Sequence, residues 1–232
     1  HMGIALTEEG DSKRNRIELV TDNTLQGKEH YTLKVDNKGI SIKGSTEGAL
    51  FWGLKTLDQL LMGDICNTAE QRIEHIYIDD NPRYGYRAVM IDPARHFLPV
   101  KDVKFFIDQM ARFKFNVLQI HLTDDQGWRI EIKSHPKLTE IGANRKPGAS
   151  DQGPDNGFYT QEEIKDIITY AAQRNIEVVP ELDIPGHSVA ILAAYPEIGC
   201  SFRHNEKKDL GSTTNMMLCA SKEKGYKIYE DI

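Results

Sequence analysis

Val117-Leu118-Gln119-Ile120-His121-Leu122-Thr123-Asp124-Asp125-Gln126-Gly127-Trp128 is the stretch on which the fold turns. Val117 to Leu122 is a short apolar run that reads as a buried strand, and it ends in an acidic turn. Upstream, Val103, Phe106, Ile107, Met110 and Phe113 recur at helical spacing and predict a helix over 101–113 with those residues as one stripe. Before that helix, Ala88-Val89-Met90-Ile91 has the look of a strand buried on both faces. Downstream, Thr160-Gln161-Glu162-Glu163 is a capping box opening a helix with Ile164, Ile167, Ile168 and Ala171 on one side, and Ile176 to Leu182 is a third strand. Strand, helix, strand at these lengths means parallel pairing through βαβ units. The connection from Asp125 to Tyr159 carries a further short strand near Arg129–Ile132 and then a Gly/Pro-rich stretch, 142–157; a connection this long is uncommon in a compact domain unless it is functional or mobile.

Residues from about 15 to 80 have another grammar. Tyr31, Leu33 and Val35 alternate with polar residues, Asp36-Asn37-Lys38-Gly39 turns, and Ile40 and Ile42 alternate again, which is a β-hairpin. A helix capped by Ser45 or Thr46 comes next, with Leu50, Leu54, Leu57 and Leu61 as its apolar stripe, and then a strand from Ile73 to Ile78. Asp79-Asp80-Asn81-Pro82 closes the segment. The expected division is a small α+β domain over 1–82 and an α/β domain over 83–232, with His1-Met2-Gly3 set aside as a tag scar.

The 232 residues carry 29 Lys+Arg against 35 Asp+Glu, a net charge of −6, which argues against nucleic acid or an anionic membrane as partner. No apolar run approaches the ~20 residues that span a bilayer. Cys66, Cys200 and Cys219 form no C-x-x-C pair; Cys200 and Cys219 flank a polar stretch and could pair in an oxidising compartment, leaving Cys66 odd, or all three could stay reduced.

Three βα units do not close a barrel, which takes eight, and an open dinucleotide-binding sheet would need a Gly-x-Gly-x-x-Gly turn that is missing after the first strand. More telling is where the strands end. The first runs into Asp92-Pro93-Ala94-Arg95-His96, the second into Thr123-Asp124-Asp125, and the third into Glu181-Leu182-Asp183-Ile184-Pro185-Gly186-His187. Parallel α/β sheets place such ends on one face, so Asp92, Arg95, Asp124, Asp125, Glu181, Asp183 and His187 should converge. The plain alternative is an ion-pair network beneath the loops. As chemistry, a metal site has suitable ligand types but neither His-x-His nor His-Glu-x-x-His spacing. A nucleophilic serine has no Gly-x-Ser-x-Gly elbow, and Ser188 diverges from its neighbour His187. Sugar binding and hydrolysis fits best, since Arg95 offers a planar fork for vicinal hydroxyls and the carboxylates accept from others.

At these residues the chain resembles the β-N-acetylhexosaminidases of glycoside hydrolase family 20, nearest the bacterial branch. Tyr86-Arg87…Asp92-Pro93-Ala94-Arg95-His96-Phe97, Phe115 through Arg129, and Pro180-Glu181-Leu182-Asp183-Ile184-Pro185-Gly186-His187 carry the likeness, and 31–62 is similar to that family's domain before the barrel. The resemblance implies the first part of a TIM (β/α)8 barrel, about three βα units, preceded by a small α+β domain. It implies exo-hydrolysis of terminal β-linked GlcNAc or GalNAc by a substrate-assisted, retaining route in which the 2-acetamido oxygen attacks the anomeric carbon. Carried over, Arg95 grips hydroxyls of the terminal sugar, Asp124 with His187 backs the catalytic acid, and Asp125, Glu181 and Asp183 belong to the substrate-binding set. Trp128 is core or site wall, His121 a satisfied interior residue, His96 structural, and Tyr159 a remote candidate. No metal or organic cofactor is implied, and the expected compartment is periplasmic, secreted or lysosome-like. The family's Asp-Glu pair, in a His-x-Gly-Gly-Asp-Glu-like run, has no counterpart in these residues. The expectation is therefore a fragment, inactive alone, whose open third strand is covered by a second chain or copy completing the barrel. A non-catalytic glycan-binding module is the alternative reading, and a metal-dependent barrel hydrolase the weaker one.

Overall fold

The computed structural model describes residues 16–62, 73–144, 155–200 and 217–232. Cys66, the tag residues and most of the 142–157 stretch lie outside them. The chain divides into two compact units, residues 1–87 with 111–114, and residues 88–110 with 115–232.

The first unit is a four-stranded sheet, β1 (Arg16–Thr21), β2 (Tyr31–Asp36), β3 (Gly39–Gly44) and β4 (Ile76–Asp80), in the order β1-β3-β2-β4. The predicted hairpin is present, with β2 and β3 antiparallel from Tyr31↔Gly44 to Asp36↔Gly39. Its turn needs Gly39, whose φ is +128° and whose absent Cβ would sit 2.5 Å from the Arg16 carbonyl oxygen. The last strand starts at Ile76 and not at Ile73, because its pairing with β2 begins at Val35↔Ile76. Helix α1 (Glu47–Met62) is capped by Thr46, whose hydroxyl accepts the Ala49 amide at 3.1 Å.

The buried face of α1 overlaps the leucine stripe only at Leu57. Ala49, Trp52, Gly53, Thr56 and Leu57 are buried, while Leu50, Leu54 and Leu61 flank them half-covered. Gly53 explains the rotation. A Cβ there would fall 2.5 Å from Ile42 Cγ2, so the helix closes on the sheet at its smallest residue and the bulky leucines are pushed to the rim.

The second unit is built on β5 (Ala88–Ile91), β6 (Val117–Asp124) and β8 (Glu177–Leu182), with β6 parallel to both others. Helix α2 (Val100–Arg112) connects the first two strands, and α4 (Gln161–Ala172) precedes β8. The capping box forms: Thr160 Oγ1 accepts the Glu163 amide at 3.2 Å, and Glu163 Oε2 accepts the Thr160 amide at 2.8 Å. The extra strand is β7 (Gly127–Trp128), an antiparallel return onto the end of β6, two residues before the predicted 129–132; there only an Ile130↔Tyr159 bridge forms. Helices α3 (Lys137–Glu140), α5 (Val189–Ala194) and α6 (Glu223–Glu230), and a 3-10 turn at Pro196–Ile198, complete the unit.

Several burial expectations change. Among the described residues β5 and β8 each bond to β6 alone, and Met90 is 55% exposed, so β5 is not covered on both faces. On α2, Val103, Ile107 and Met110 are buried while Phe106 is exposed, as are Phe113, just past the helix end, and Ile168 on α4. Gly225 and Ile228 are the inward residues of α6. Trp128 packs with Ile132, Leu138, Val189 and Ile198 in the core, its Nε1 donating to the Ile130 carbonyl, so it is no site wall. Gly127 sits against Arg129, with its absent Cβ only 2.5 Å from the guanidinium carbon. Gly127→Ala is therefore expected to cost about 1–3 kcal/mol by overpacking, seen as a lower urea midpoint.

Candidate functional site

Strand alternation places Gln119, His121 and Thr123 on one face of β6, and the register sets His121 beside Glu181 of β8. Between His121 and Thr123 the pairing with β8 slips, and Thr123 aligns with Leu182. Such a bulge re-aims the next side chains along the strand, here that of Asp124. The strand ends do converge as expected, and Asp124 is the hub.

Asp124 is 1% exposed and both its oxygens are saturated. Oδ2 accepts His121 Nε2 at 2.9 Å and is ion-paired with Arg95 Nη2 at 2.6 Å; Oδ1 accepts the Asp125 amide at 2.6 Å and His187 Nδ1 at 3.0 Å. Burial pushes this carboxyl up, but the donors around it, His121 first, prevail and hold it at about 2. Arg95 is gripped from behind, Nη1 reaching Asp92 Oδ2 at 2.5 Å, while its side chain stays 43% exposed. A guanidinium fixed by two carboxylates and still partly exposed keeps the planar geometry of a fork.

His187 has φ +50°, a left-handed conformation a non-glycine residue adopts at some cost, and its bond to Asp124 ties it there. Glu181 accepts Gln119 Nε2 on one oxygen and His121 Nδ1 at 2.7 Å on the other, and the Gln119 bond leads in holding it below the usual range. Asp183 lies within the same cluster, its amide donating to Thr123 Oγ1. Asp125 stays in the cluster beside Asp124 and His187: its Oδ1 accepts the Val189 amide at 3.1 Å, at the first turn of α5, and burial pushes the carboxyl up.

Tyr159 is buried with its hydroxyl on the Leu98 carbonyl and does not reach the cluster; His96 stays at the surface beside Asp155. His121, read as a mere interior residue, proves to bridge two carboxylates. The Cys200 and Cys219 thiols are free; Cys219 Sγ lies 3.2 Å from Ser221 Oγ, and Cys200 with Ser221 draws Cys219 down to about 7.

Two triples, His121–Glu181–Asp183 and Asp124–Asp125–His187, each bring three donor atoms within 4.8 Å of one another. Neither offers the converging lone pairs a divalent ion requires, because both His121 nitrogens already face carboxylates and Asp124 is full.

The Asp124 hydrogen bond, against burial, raises His121 to about 9. A raised histidine stabilises fully below its unfolded value, about 6.5, and loses that contribution as pH rises through 9. Asp124 is the converse: its contribution is complete above about pH 4 and fades as pH falls through 2. Counting the shared pair once, the second unit should lose about 3 kcal/mol between pH 6.5 and 9.5. Urea unfolding read by Trp128 fluorescence in a Trp52→Phe background checks it.

A polar cluster at the C-terminal ends of parallel strands, with an arginine and a histidine both held by one buried carboxylate, is where α/β proteins of the barrel type place their sites. Comparison takes this further. The chain belongs to glycosyl hydrolase family 20, whose catalytic domain matches residues 84–232 and whose domain 2 matches residues 1–81. It is 41% identical over 223 residues to a β-hexosaminidase of Porphyromonas gingivalis, covering 94% of this chain and 28% of the relative. The N-acetyl-β-hexosaminidase of Streptomyces plicatus, solved with Thio-NAglucal, superposes with TM-score 0.82 at 39% identity, over 93% of this chain and 43% of that one. The GH20 exo-β-N-acetylglucosaminidase of Vibrio harveyi, solved with N-acetylglucosamine, gives 0.79 at 35% identity over 93% and 35%. The chain thus spans under half the length of each. No helix among the described residues is long and apolar enough to cross a membrane.

Proposed function

We propose that this chain is the sugar-gripping part of an exo-acting β-N-acetylhexosaminidase that releases terminal β-linked GlcNAc or GalNAc from glycans, in a periplasmic, secreted or lysosome-like compartment. The observation that carries the reading is the continuous run Arg95–Asp124–His187, with Asp124 bonded at 2.6 Å to the one and 3.0 Å to the other. Arg95 binds hydroxyls of the terminal sugar through its exposed portion. Asp124, a saturated carboxylate, accepts only, so His187 must hold its proton on Nδ1 and turn the Nε2 lone pair toward a neighbouring carboxylic acid. That leaves the histidine able to orient the acid and share its proton while the substrate's acetamido oxygen attacks the anomeric carbon with retention. Glu181 and Asp125 belong to the same substrate-binding set, Glu181 held by Gln119 and His121 and Asp125 by the α5 amide at Oδ1. Asp183 completes the rim.

The acid itself belongs to an Asp-Glu pair that residues 1–232 do not contain. These residues alone should hydrolyse an aryl β-N-acetylglucosaminide at least ~10²–10⁴-fold more slowly than a chain continued past Ile232. In the longer chain, Arg95→Lys keeps the charge but loses the fork, and should lower kcat/KM about 10²–10³-fold, mainly through KM. No hydrolysis by either chain, with N-acetylglucosamine still bound, would favour a glycan-binding module.

A further inference from the structure

His121 lies between two carboxylates that come from different strands. Its Nε2 is 2.9 Å from Asp124 Oδ2 and its Nδ1 is 2.7 Å from Glu181 Oε1, and its side chain is 5% exposed. A neutral imidazole has a single N–H. One of the two contacts would then press a ring lone pair against an oxygen lone pair, unless a carboxyl carried the missing proton. Asp124 has no room for one, since its oxygens already accept from His121, His187 and the Asp125 amide, and Oδ2 stands 2.6 Å from the Arg95 guanidinium. Glu181 is the only other holder. A carboxylate ordinarily gives up a proton about two pH units more readily than imidazole, and the Glu181 side chain keeps 26% exposure to water that favours its ionised form.

We infer that His121 is a buried imidazolium clamped between Asp124 and Glu181, and that it acts as a positioning residue which holds Asp124 as an acceptor-only carboxylate and thereby fixes the Nδ1–H form of His187. Its charge answers an excess of acid. Facing it are Asp92 and Arg95 from the end of β5, Asp124 and Asp125 from β6, and Glu181 and Asp183 from β8, with His187 beyond; Arg95 is the one other cation in that set. The upward displacement of His121 to about 9 agrees with the geometry. Without this cation, Asp124 would have an empty acceptor direction at Oδ2, and protonating Asp124 would turn it into a donor able to reverse the tautomer of His187. The consequence for hydrolysis rests on the function proposed above; the charge state does not.

The test is long-range 1H–15N NMR on the 232-residue chain labelled at the histidine ring nitrogens, from pH 6 to 10. At pH 7.5 one histidine should show both ring nitrogens protonated, and this signal should vanish in His121→Gln. Its midpoint should lie at least one pH unit above that of an ordinary histidine, and Glu181→Gln should lower it by at least one unit. In His121→Gln the His187 signals should change from pure Nδ1–H to a mixture of tautomers. An unprotonated His121 nitrogen at pH 7.5 overturns the clamp, and an unaltered His187 tautomer overturns the positioning role. Should His121→Gln not fold, the wild-type and Glu181→Gln spectra still decide the charge, and Glu181→Gln carries the tautomer readout. No step consults hydrolysis, so a failed glycosidase assay and a failed clamp are separate results.

Discussion

Replacing Arg129 with methionine is expected to destabilise the second unit by about 3–5 kcal/mol, enough to unfold a large fraction of it at 37 °C. Arg129 is fully buried, and its guanidinium donates to the carbonyls of Pro93 at 3.0 Å, Ala94 at 3.1 Å, Ala143 at 3.3 Å, Asp155 at 3.0 Å and Gly157 at 3.0 Å. Those oxygens come from the turn after β5 and from both sides of the long loop ahead of α4. Methionine fills comparable space but donates nothing, so buried acceptors lose their partners, at about 1–3 kcal/mol each where water does not replace them. Lysine separates charge from shape. It keeps the cation but cannot fan out to five oxygens, and should recover less than half of the loss. Urea unfolding of Arg129→Met and Arg129→Lys, monitored through Trp128, measures both. Equal stability in wild type and Arg129→Met would show that the loops hold without the clip. Because Pro93 and Ala94 directly precede Arg95, the same substitution should also loosen the fork that the proposed function depends on.

The sequence made the skeleton of this unit legible because hydrophobic period and turn chemistry agree there. Ala88–Ile91, Val117 onward and the Thr160–Glu163 cap all stand where the pattern put them. Helix α5 was not legible for a physical reason. Val189-Ala190-Ile191-Leu192-Ala193-Ala194 is too short and too uniformly apolar to show any period, and its start is set by a distant carboxylate, Asp125, on its first amide. The inward face of α1 was misread because leucine size outweighed the close approach that Gly53 permits.

The site shows the same split. Parallel topology was enough to say that the polar strand ends would meet, and Arg95, Asp124 and His187 do meet. It was not enough to say which oxygen answers which donor. Alternation alone puts Gln119, His121 and Thr123 on one face, but only the register His121↔Glu181 and the slip after it turn an interior histidine into a bridge. Arg129, beside a tryptophan in an ordinary polar stretch, carried no signal of the carbonyls it would gather.

Asp124→Asn is expected to cost about 3–5 kcal/mol although it changes no volume. An amide has one oxygen and one NH2 group, whereas the site supplies donors to both positions. If the Asn oxygen replaces Oδ2, its NH2 faces the Asp125 amide and His187 Nδ1; if the amide flips, its NH2 faces Arg95 and His121. Either way donors oppose donors, and Arg95 and His121 lose a charge they were placed against. The sign of the pH response tells repulsion from mere loss of a contact. In the wild type the His121 contribution fades as pH rises through about 9, so the gap between wild type and Asp124→Asn should be widest near pH 6 and narrow by more than half at pH 9.5. A gap that stays constant across that range would mean that Asp124 stabilises as a packed polar group and not as the counter-charge of His121. In the longer chain the same variant should lower kcat more than KM, because His187 would no longer be bound to keep its proton on Nδ1.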